Sequence, residues 1–358
     1  MKKLVINGKF LLNKNKRGID RFSYEILLAL DNLCNLESVE LLIPNVDINN
    51  IPKLKNIKIK KYGGIFGIRF WQYIEYQYYL IKSKALAIAF QPEEAPIFNL
   101  GIVTIHDIYH EREKNQVNGL EAYIKNRYHL LINKLAIKNA RIITAVSNFT
   151  KKEIIDYYKH NEKNIYITYN SCNHLFNMNM NESFLLEKYK KIIGNEYYFF
   201  LGSQEKRKNI KWICKLAEKY KEKKFILAGP PLRKSTFADD GISSIDNIEY
   251  IGYISDEEVG FFMKHCKAFL FPSFYEGFGI PPLEALVFGA KVFCSNSSCL
   301  PEIYGNNVIF FDPYDYNVDL DLLESRSIKI DKAIFKKYSW ENSASVFFKQ
   351  MKKLILKR

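Results

Sequence analysis

The stretch Phe269-Leu270-Phe271-Pro272-Ser273-Phe274-Tyr275-Glu276-Gly277-Phe278-Gly279-Ile280-Pro281-Pro282-Leu283-Glu284-Ala285-Leu286 passes from an apolar run through a glycine loop into a proline-led segment. An apolar run that stops at a proline reads as a buried strand. Pro281 and Pro282 suit the first turn of a helix, where a missing N–H is harmless. Strand, loop and helix are predicted in that order. Gly277 and Gly279 let the backbone approach a ligand closely, and the helix N-terminus beyond them offers unpaired N–H groups and a positive dipole end to a diphosphate. Glu276 stands in the loop and Glu284 in the helix, with seven residues between them. Two carboxylates so placed can face different parts of one elongated ligand.

Outward from this segment, brief apolar runs alternate with amphipathic stretches, the pattern of repeated βα units and a parallel sheet. In the first half the expected strands are Lys3 to Ile6, Val39 to Ile43, Leu86 to Phe90, Ile102 to Ile105 and Ile142 to Val146. Helices are expected at Asp20 to Leu30, Phe70 to Ile81, Leu120 to Asn139 and Asn148 to Tyr158. The second half restarts with strands at Tyr197 to Leu201, Phe225 to Ala228, Ile248 to Tyr250 and Ala268 to Phe271, and helices at Asn209 to Tyr220, Asp256 to Lys264 and Pro282 to Phe288. At 358 residues the chain exceeds what one core usually supports. The expected fold class is α/β, two Rossmann-like domains facing a shared cleft, with the polar stretch Asn170 to Glu182 as linker.

A composition of 47% hydrophobic residues is ample for packed cores. The six cysteines are scattered with no CxxC pair, which argues against a zinc site or a disulfide framework and for reduced, mostly buried thiols. No apolar run reaches the about 18 residues of a membrane span. Met1-Lys2-Lys3 precedes only Leu4-Val5-Ile6 before polar residues return, so no secretory signal is expected and the cytoplasm is the expected location. Lysine and arginine total 53 against 39 acidic residues, a net +14 that attracts nucleic acid, anionic headgroups and nucleotide diphosphates alike. Within Lys53-Leu54-Lys55-Asn56-Ile57-Lys58-Ile59-Lys60-Lys61, lysines alternate with apolar residues, which reads as an exposed strand with one polar face. With Phe66, Phe70 and Trp71 nearby, a peripheral patch for an anionic membrane surface is the sharper alternative.

The glycine loop and its glutamates resemble glycosyltransferase family 4, the retaining group 1 glycosyltransferases of bacterial polysaccharide biosynthesis, which have the GT-B fold and a signature of two glutamates separated by seven residues. The likeness continues through Gly289-Ala290-Lys291-Val292, Ser298-Cys299-Leu300-Pro301-Glu302 and Gly305 to Asp312-Pro313. Gly202-Ser203-Gln204-Glu205-Lys206-Arg207-Lys208-Asn209 resembles the family's first donor-domain loop, and Gly18-Ile19-Asp20-Arg21-Phe22 its glycine loop near acceptor and donor sugar. Val103-Thr104-Ile105-His106-Asp107 resembles a histidine-bearing strand end that points into the cleft. Ala145-Val146-Ser147-Asn148-Phe149-Thr150 matches another recurring segment, with Asn148 or Ser147 as helix cap. Tyr338-Ser339-Trp340-Glu341 resembles the start of a terminal helix that returns to the N-domain. Two departures stand out: Ser203 where many relatives carry arginine, and Asn170-Ser171 in place of an Asn-Gly turn.

The resemblance implies an acceptor domain of residues 1–172, with 340–358 packed back on it, and a donor domain of 173–339. It assigns the donor diphosphate to Arg207 and Lys208 with Gly202, Ser203, Gly277, Phe278, Gly279 and Ile280, and the ribose to Glu284. Glu276 and His106 then position the transferred sugar, and Gly18, Ile19 and Arg21 form the sugar or acceptor loop. The leaving diphosphate gains negative charge, which fixed cations stabilise, and the Arg207 fork can take two phosphate oxygens. No cofactor or metal is expected, because those cations and backbone dipoles already neutralise the charge and no Asp-x-Asp stands at a strand end. The implied activity moves a sugar, with retention, from a nucleotide-diphosphate sugar to a saccharide or lipid-linked acceptor in O-antigen, capsule or lipopolysaccharide assembly, with mannosyl- and rhamnosyltransferases the nearest in form. Taken singly, Glu284 reads as a solvated helix residue, His106 as a packed one and Lys206-Arg207-Lys208 as a solvated charge run. The rivals are a GT-B sugar-nucleotide epimerase, a non-catalytic nucleotide-binding module and a nucleic-acid binder; no nucleic-acid motif accompanies the charge.

Overall fold

The computed structural model describes residues 2–13, 18–48, 51–112, 119–193, 196–230 and 245–356, the side chains of 121 and 122 excepted; Met1 lies outside this set. The chain divides into one unit of Met1–Ser171 with Lys337–Arg358 and another of Cys172–Lys336.

The first unit is built on β1 (Leu4–Asn7), β2 (Val39–Ile43), β3 (Lys58–Lys61), β4 (Leu86–Ala89), β5 (Leu100–Ile105), β6 (Ile142–Ala145) and β7 (Ile165–Ile167). They form one parallel sheet in the order β3-β2-β1-β4-β5-β6-β7. The central strands are buried on both faces, which explains their unbroken apolar sequences. Ser147 caps the helix Asn148–Tyr158, its hydroxyl accepting from Thr150 N at 3.0 Å, which decides between the two cap candidates. The helix Trp340–Leu356 belongs to this unit and sets Trp340 and Phe347 against Phe22, with ring centroids 5.9 and 6.5 Å away.

The second unit carries β8 (Tyr197–Leu201), β9 (Lys224–Ala228), β10 (Ile248–Gly252), β11 (Ala268–Phe271), β12 (Val292–Ser295) and β13 (Ile309–Phe311), a parallel sheet ordered β10-β9-β8-β11-β12-β13. Trp212, fully buried on the helix Ile210–Lys219, stacks on Phe311 at 4.2 Å. Burying a side chain of that size stabilises by roughly 2–3 kcal/mol before entropy is counted. In each sheet the strand order reverses once, between β1 and β4 and between β8 and β11. Open α/β sheets bind ligands at such switch points, beyond the carboxyl ends of the strands.

Two expectations about the basic segment change. Only Lys58–Lys61 forms a strand, and all four residues are exposed, so it has no apolar face turned inward. The reason lies upstream: the Asp31 carboxylate accepts from the N–H groups of Lys55, Asn56 and Ile57 at 2.7–2.9 Å, holding them as a loop. Trp71 is fully buried, its Nε1 donating to Tyr62 O at 2.6 Å, so it is no part of a surface patch. The strands β7, β12 and β13 were not expected; runs of three or four residues are too short to carry a clear pattern. All six cysteines are free, five of them buried. Among the described residues no helix is long and apolar enough to cross a membrane.

Candidate active site

The β8/β11 switch point brings two loops together. After β8 the chain passes half-buried Gly202 and Ser203 into a single 3-10 turn, Lys206–Lys208. After β11 it passes Phe274 to Gly279 and enters the helix Ile280–Val287. Phe274 N donates to Arg207 O at 2.7 Å, tying one loop to the other through the backbone.

Asn209 fixes this junction. It adopts a left-handed conformation, φ 53°, ending the turn and opening the helix Ile210–Lys219. Its side-chain nitrogen donates to Pro272 O at 3.1 Å and Pro313 O at 2.9 Å, so one buried amide holds three loops. Asparagine tolerates that backbone better than most residues.

The held loops assemble an ion triad. Glu276 is buried; its Oε1 lies 2.6 Å from Lys208 Nζ and its Oε2 3.0 Å from Arg207 Nη1. Arg207 Nε also reaches Glu205 Oε2 at 2.6 Å. Glu276 N donates to Ser298 Oγ at 3.0 Å, so the segment 298–302 noted in the sequence braces the loop after β11. Burial drives the Glu276 carboxyl upward, but Lys208 and Arg207 outweigh it and hold it below the ordinary range. Burial, with Arg207 beside it, lowers Lys208 against the pull of Glu276. The result is an ionised carboxylate shared by two cations.

The helix N-terminus beside the triad depends on Gly279, at φ 77°, where a Cβ would stand 2.7 Å from Leu300 Cδ2. The fully buried Tyr304 hydroxyl donates to Gly279 O and accepts from Leu283 N at 3.1 Å, so it pins both the loop and the first helical turn. Gly277 is buried, Phe278 buries its ring, and Ile280 and Glu284 are half-buried. At the strand ends Gly229 packs on Gly202 so tightly that a Cβ on Gly229 would lie 2.1 Å from Gly202 O. The two glycines keep the loop after β8 against the loop after β9.

In the first unit the other switch point gathers Asn7 at the end of β1, the segment after β4 and His106 just past β5. His106 Nε2 meets Phe90 O at 2.9 Å, and its ring stands edge-on to Phe22 at 4.9 Å. Burial lowers its pKa, opposed by the Phe90 carbonyl, Asp107 and Glu93, so the imidazole is neutral near pH 7. Gly18, φ 54°, opens the helix Ile19–Leu33; Ile19 is exposed, and Arg21 lies 3.6 Å from Glu25. Phe22 on that helix is what joins the glycine loop to His106.

Sequence reasoning missed Glu93 and Glu94, although they follow β4 at the switch point and their position alone marked them. Glu94 is fully buried; Oε1 accepts from Gln91 Nε2 at 2.8 Å, and Oε2 has no hydrogen-bond partner among the described residues. Burial pushes its carboxyl up to about 8. Asn7 Nδ2 donates to Glu94 O and to Gln72 Oε1, both at 2.9 Å.

Residues 182–325 match the family model described as glycosyl transferases group 1, a span that includes the whole ion triad and its helix. The chain is 25% identical to O-antigen chain mannosyltransferase B of Escherichia coli, over 91% of this chain and 93% of that one. Among solved structures, a sucrose-phosphate synthase from Thermosynechococcus elongatus superposes with TM-score 0.72 at 14% identity, covering 99% of both chains. WaaG, a glycosyltransferase involved in lipopolysaccharide biosynthesis, gives TM-score 0.65 at 15% identity over 96% of this chain and 94% of its own. The two parallel α/β sheets, the loop set around Glu276 and these likenesses agree on a glycosyltransferase: residues 182–325 match the group 1 model, and the fold is that of GT-B glycosyltransferases.

Proposed function

We propose that this glycosyltransferase transfers a mannosyl residue, with retention at the anomeric carbon, from a nucleotide-diphosphate sugar to a saccharide acceptor, free or lipid-linked, in bacterial surface-polysaccharide assembly. The work takes place at the cytoplasmic face of the membrane. The choice of mannose rests on the relatives, several of which are named O-antigen mannosyltransferases.

The observation that carries the donor assignment is the triad of Arg207, Lys208 and Glu276 beside the N-terminus of the helix Ile280–Val287. With Glu205 and Glu276 the four charges of the cluster balance, so a diphosphate gains here by short-range donation from the Arg207 fork and the Lys208 ammonium in a mostly buried setting, where each contact is worth more than in water. The donor's phosphates take oxygen sites around Arg207 and Lys208, and the helix N–H groups add their dipole. As the sugar–phosphate bond breaks, charge grows on the leaving oxygen next to groups already in place, so little reorganisation is required. These cations and the helix dipole support a reaction that needs no metal.

Glu276, ionised and fixed by Ser298, is given to the transferred sugar, and Glu284 to the donor ribose. In the first unit, His106, neutral and aimed by Phe90 O, serves as a hydrogen-bonding group for a sugar hydroxyl rather than as a cation. Gly18, Ile19 and Arg21 are given to sugar or acceptor recognition.

The test supplies the purified protein with GDP-mannose, UDP-glucose or dTDP-rhamnose and a cell-envelope extract holding acceptors, then follows nucleoside diphosphate release and the anomeric configuration of the product. Release from GDP-mannose with a retained anomer is expected. Release from another donor alone, or an inverted product, would overturn the corresponding part.

A further inference from the structure

Two helices of the first unit carry a second apolar stripe on their outward side, besides the residues they bury, among them Trp71, Tyr76 and Leu80 on one and Ala136 and Ile137 on the other. Along 68–83, which runs as Ile68–Phe70, a π-helical turn Trp71–Glu75 and Tyr76–Ser83, the residues Phe70, Ile74, Tyr78 and Ile81 face out. Along Leu120–Asn139 the residues Leu120, Ile124, Tyr128 and Leu131 do the same. Both sets have the spacing of one helical stripe, four, four and three, which in a water-facing helix points to the core. Here all eight are between 40% and 75% exposed.

The inward side of Leu120–Asn139 is partly polar instead. Asn126 and Asn133 are buried, meeting His110 Nδ1 at 2.8 Å and Glu111 Oε1 at 3.0 Å. The two stripes form one face. The Tyr73 and Tyr128 hydroxyls hydrogen-bond across the gap, and the Ile97-Phe98 loop joins the far ends through Asn139 Nδ2 to Ile97 O at 3.0 Å and Phe98 N to Gln77 Oε1 at 3.0 Å. Ile65 and Phe66, 82% and 76% exposed, extend it from the turn before the first helix.

Its charge is mostly positive. Arg69, Lys82, Lys125, Arg127, Lys134 and Lys138 are exposed on these helices. The acids there are Glu75, whose Oε2 accepts from Gly64 N at 2.6 Å, and Glu121. The exposed strand Lys58–Lys61 adds three more cations at the sheet edge. Apolar stripes flanked by cations match a bilayer surface with anionic lipid, where rings enter the headgroup boundary and lysines meet phosphates. A protein partner or second copy would have to supply both a wide apolar face and many carboxylates.

We infer that the outward face of these two helices, with the Ile65-Phe66 turn, docks the enzyme on an anionic membrane surface. This deepens the reading of an enzyme working at a membrane, and it is tested without donor or acceptor, so its failure leaves the transferase reading intact.

The experiment floats the full chain with phosphatidylcholine vesicles and with vesicles that also contain phosphatidylglycerol. Binding to the anionic vesicles alone is expected, weakened by salt. Lys125→Ala and Lys134→Ala should each weaken it about fivefold, the equivalent of about 1 kcal/mol per charge. Ile74→Ser with Ile124→Ser should lose it at least ~10-fold while circular dichroism and nucleotide binding stay as in the parent, since all these side chains are exposed. No binding to anionic vesicles would overturn the inference. So would equal binding to both vesicle types, or a sedimenting dimer that the Ile74→Ser/Ile124→Ser variant dissolves, which would make the face a subunit interface.

Discussion

Lys208 Nζ lies 2.6 Å from Glu276 Oε1, a contact between the first turn after β8 and the loop after β11. Both groups are largely withdrawn from water, and Arg207 completes the cluster from the residue before. Within the proposed function the carboxylate spaces two cations before the donor arrives. Removing one member of a buried pair costs about 3–5 kcal/mol because the remaining charge is left uncompensated. Glu276→Gln should therefore lower stability by roughly 3 kcal/mol and reduce turnover about 10²- to 10³-fold. A nucleoside diphosphate should raise the melting temperature of this variant more than that of the parent, because phosphate replaces the missing negative charge. Thermal melts with and without nucleotide measure this directly.

Tyr304 acts on the donor site at one remove. Its hydroxyl satisfies Gly279 O and Leu283 N in the core, and Tyr304→Phe leaves both groups buried without it. The expected loss is about 1–3 kcal/mol of stability, with nucleotide affinity reduced severalfold. Equilibrium urea unfolding and calorimetric nucleotide titration give the two values.

Gly279→Ala should cost more than its size suggests. The position is at φ 77°, and the new methyl carbon would meet Leu300 Cδ2 at 2.7 Å. A non-glycine residue there stores about 1–3 kcal/mol of strain, and relief of it shifts the helix start away from the triad. Donor KM should rise with a smaller change in melting temperature than Glu276→Gln produces.

Glu94 makes stability depend on pH. Its carboxyl is raised by burial from about 4.5 to about 8, so between those values the folded chain holds a proton that the unfolded chain releases. Its contribution is fully present below about 4.5 and is lost as pH rises through about 8. The slope is at most about 1.4 kcal/mol per pH unit. Glu94→Gln keeps an oxygen for Gln91 Nε2 without the titrating proton, and should flatten the fall in melting temperature between about pH 5 and 8. A parallel fall in both proteins would count against the assignment.

The sequence is most informative where spacing meets chemistry. Apolar runs of four or five residues such as Tyr197–Leu201 and Ala268–Phe271 announce strands buried on both faces. Gly279 with Pro281 and Pro282 marks a helix start that the structure places at Ile280. The legible residues are those whose type is unusual for their place in the chain. What stays hidden depends on tertiary partners. Asn209 reads as a helix start, yet its amide holds Pro272 O and Pro313 O across the fold. Glu94 passes unnoticed in the sequence, because what sets it apart is its enclosure by Gln91 and Asn7. Periodicity finds the helix Leu120–Asn139, but not that one of its apolar stripes points outward, because the pattern is the same whichever side faces the core.

The most direct test of the donor assignment is calorimetric titration of GDP and UDP, without added metal, into the parent protein and into Lys208→Ala and Glu284→Ala. The account predicts that one nucleotide binds selectively to the parent and at least ~10-fold more weakly to each variant, a loss of about 1.4 kcal/mol or more. Equal binding of a nucleotide by all three proteins would contradict it.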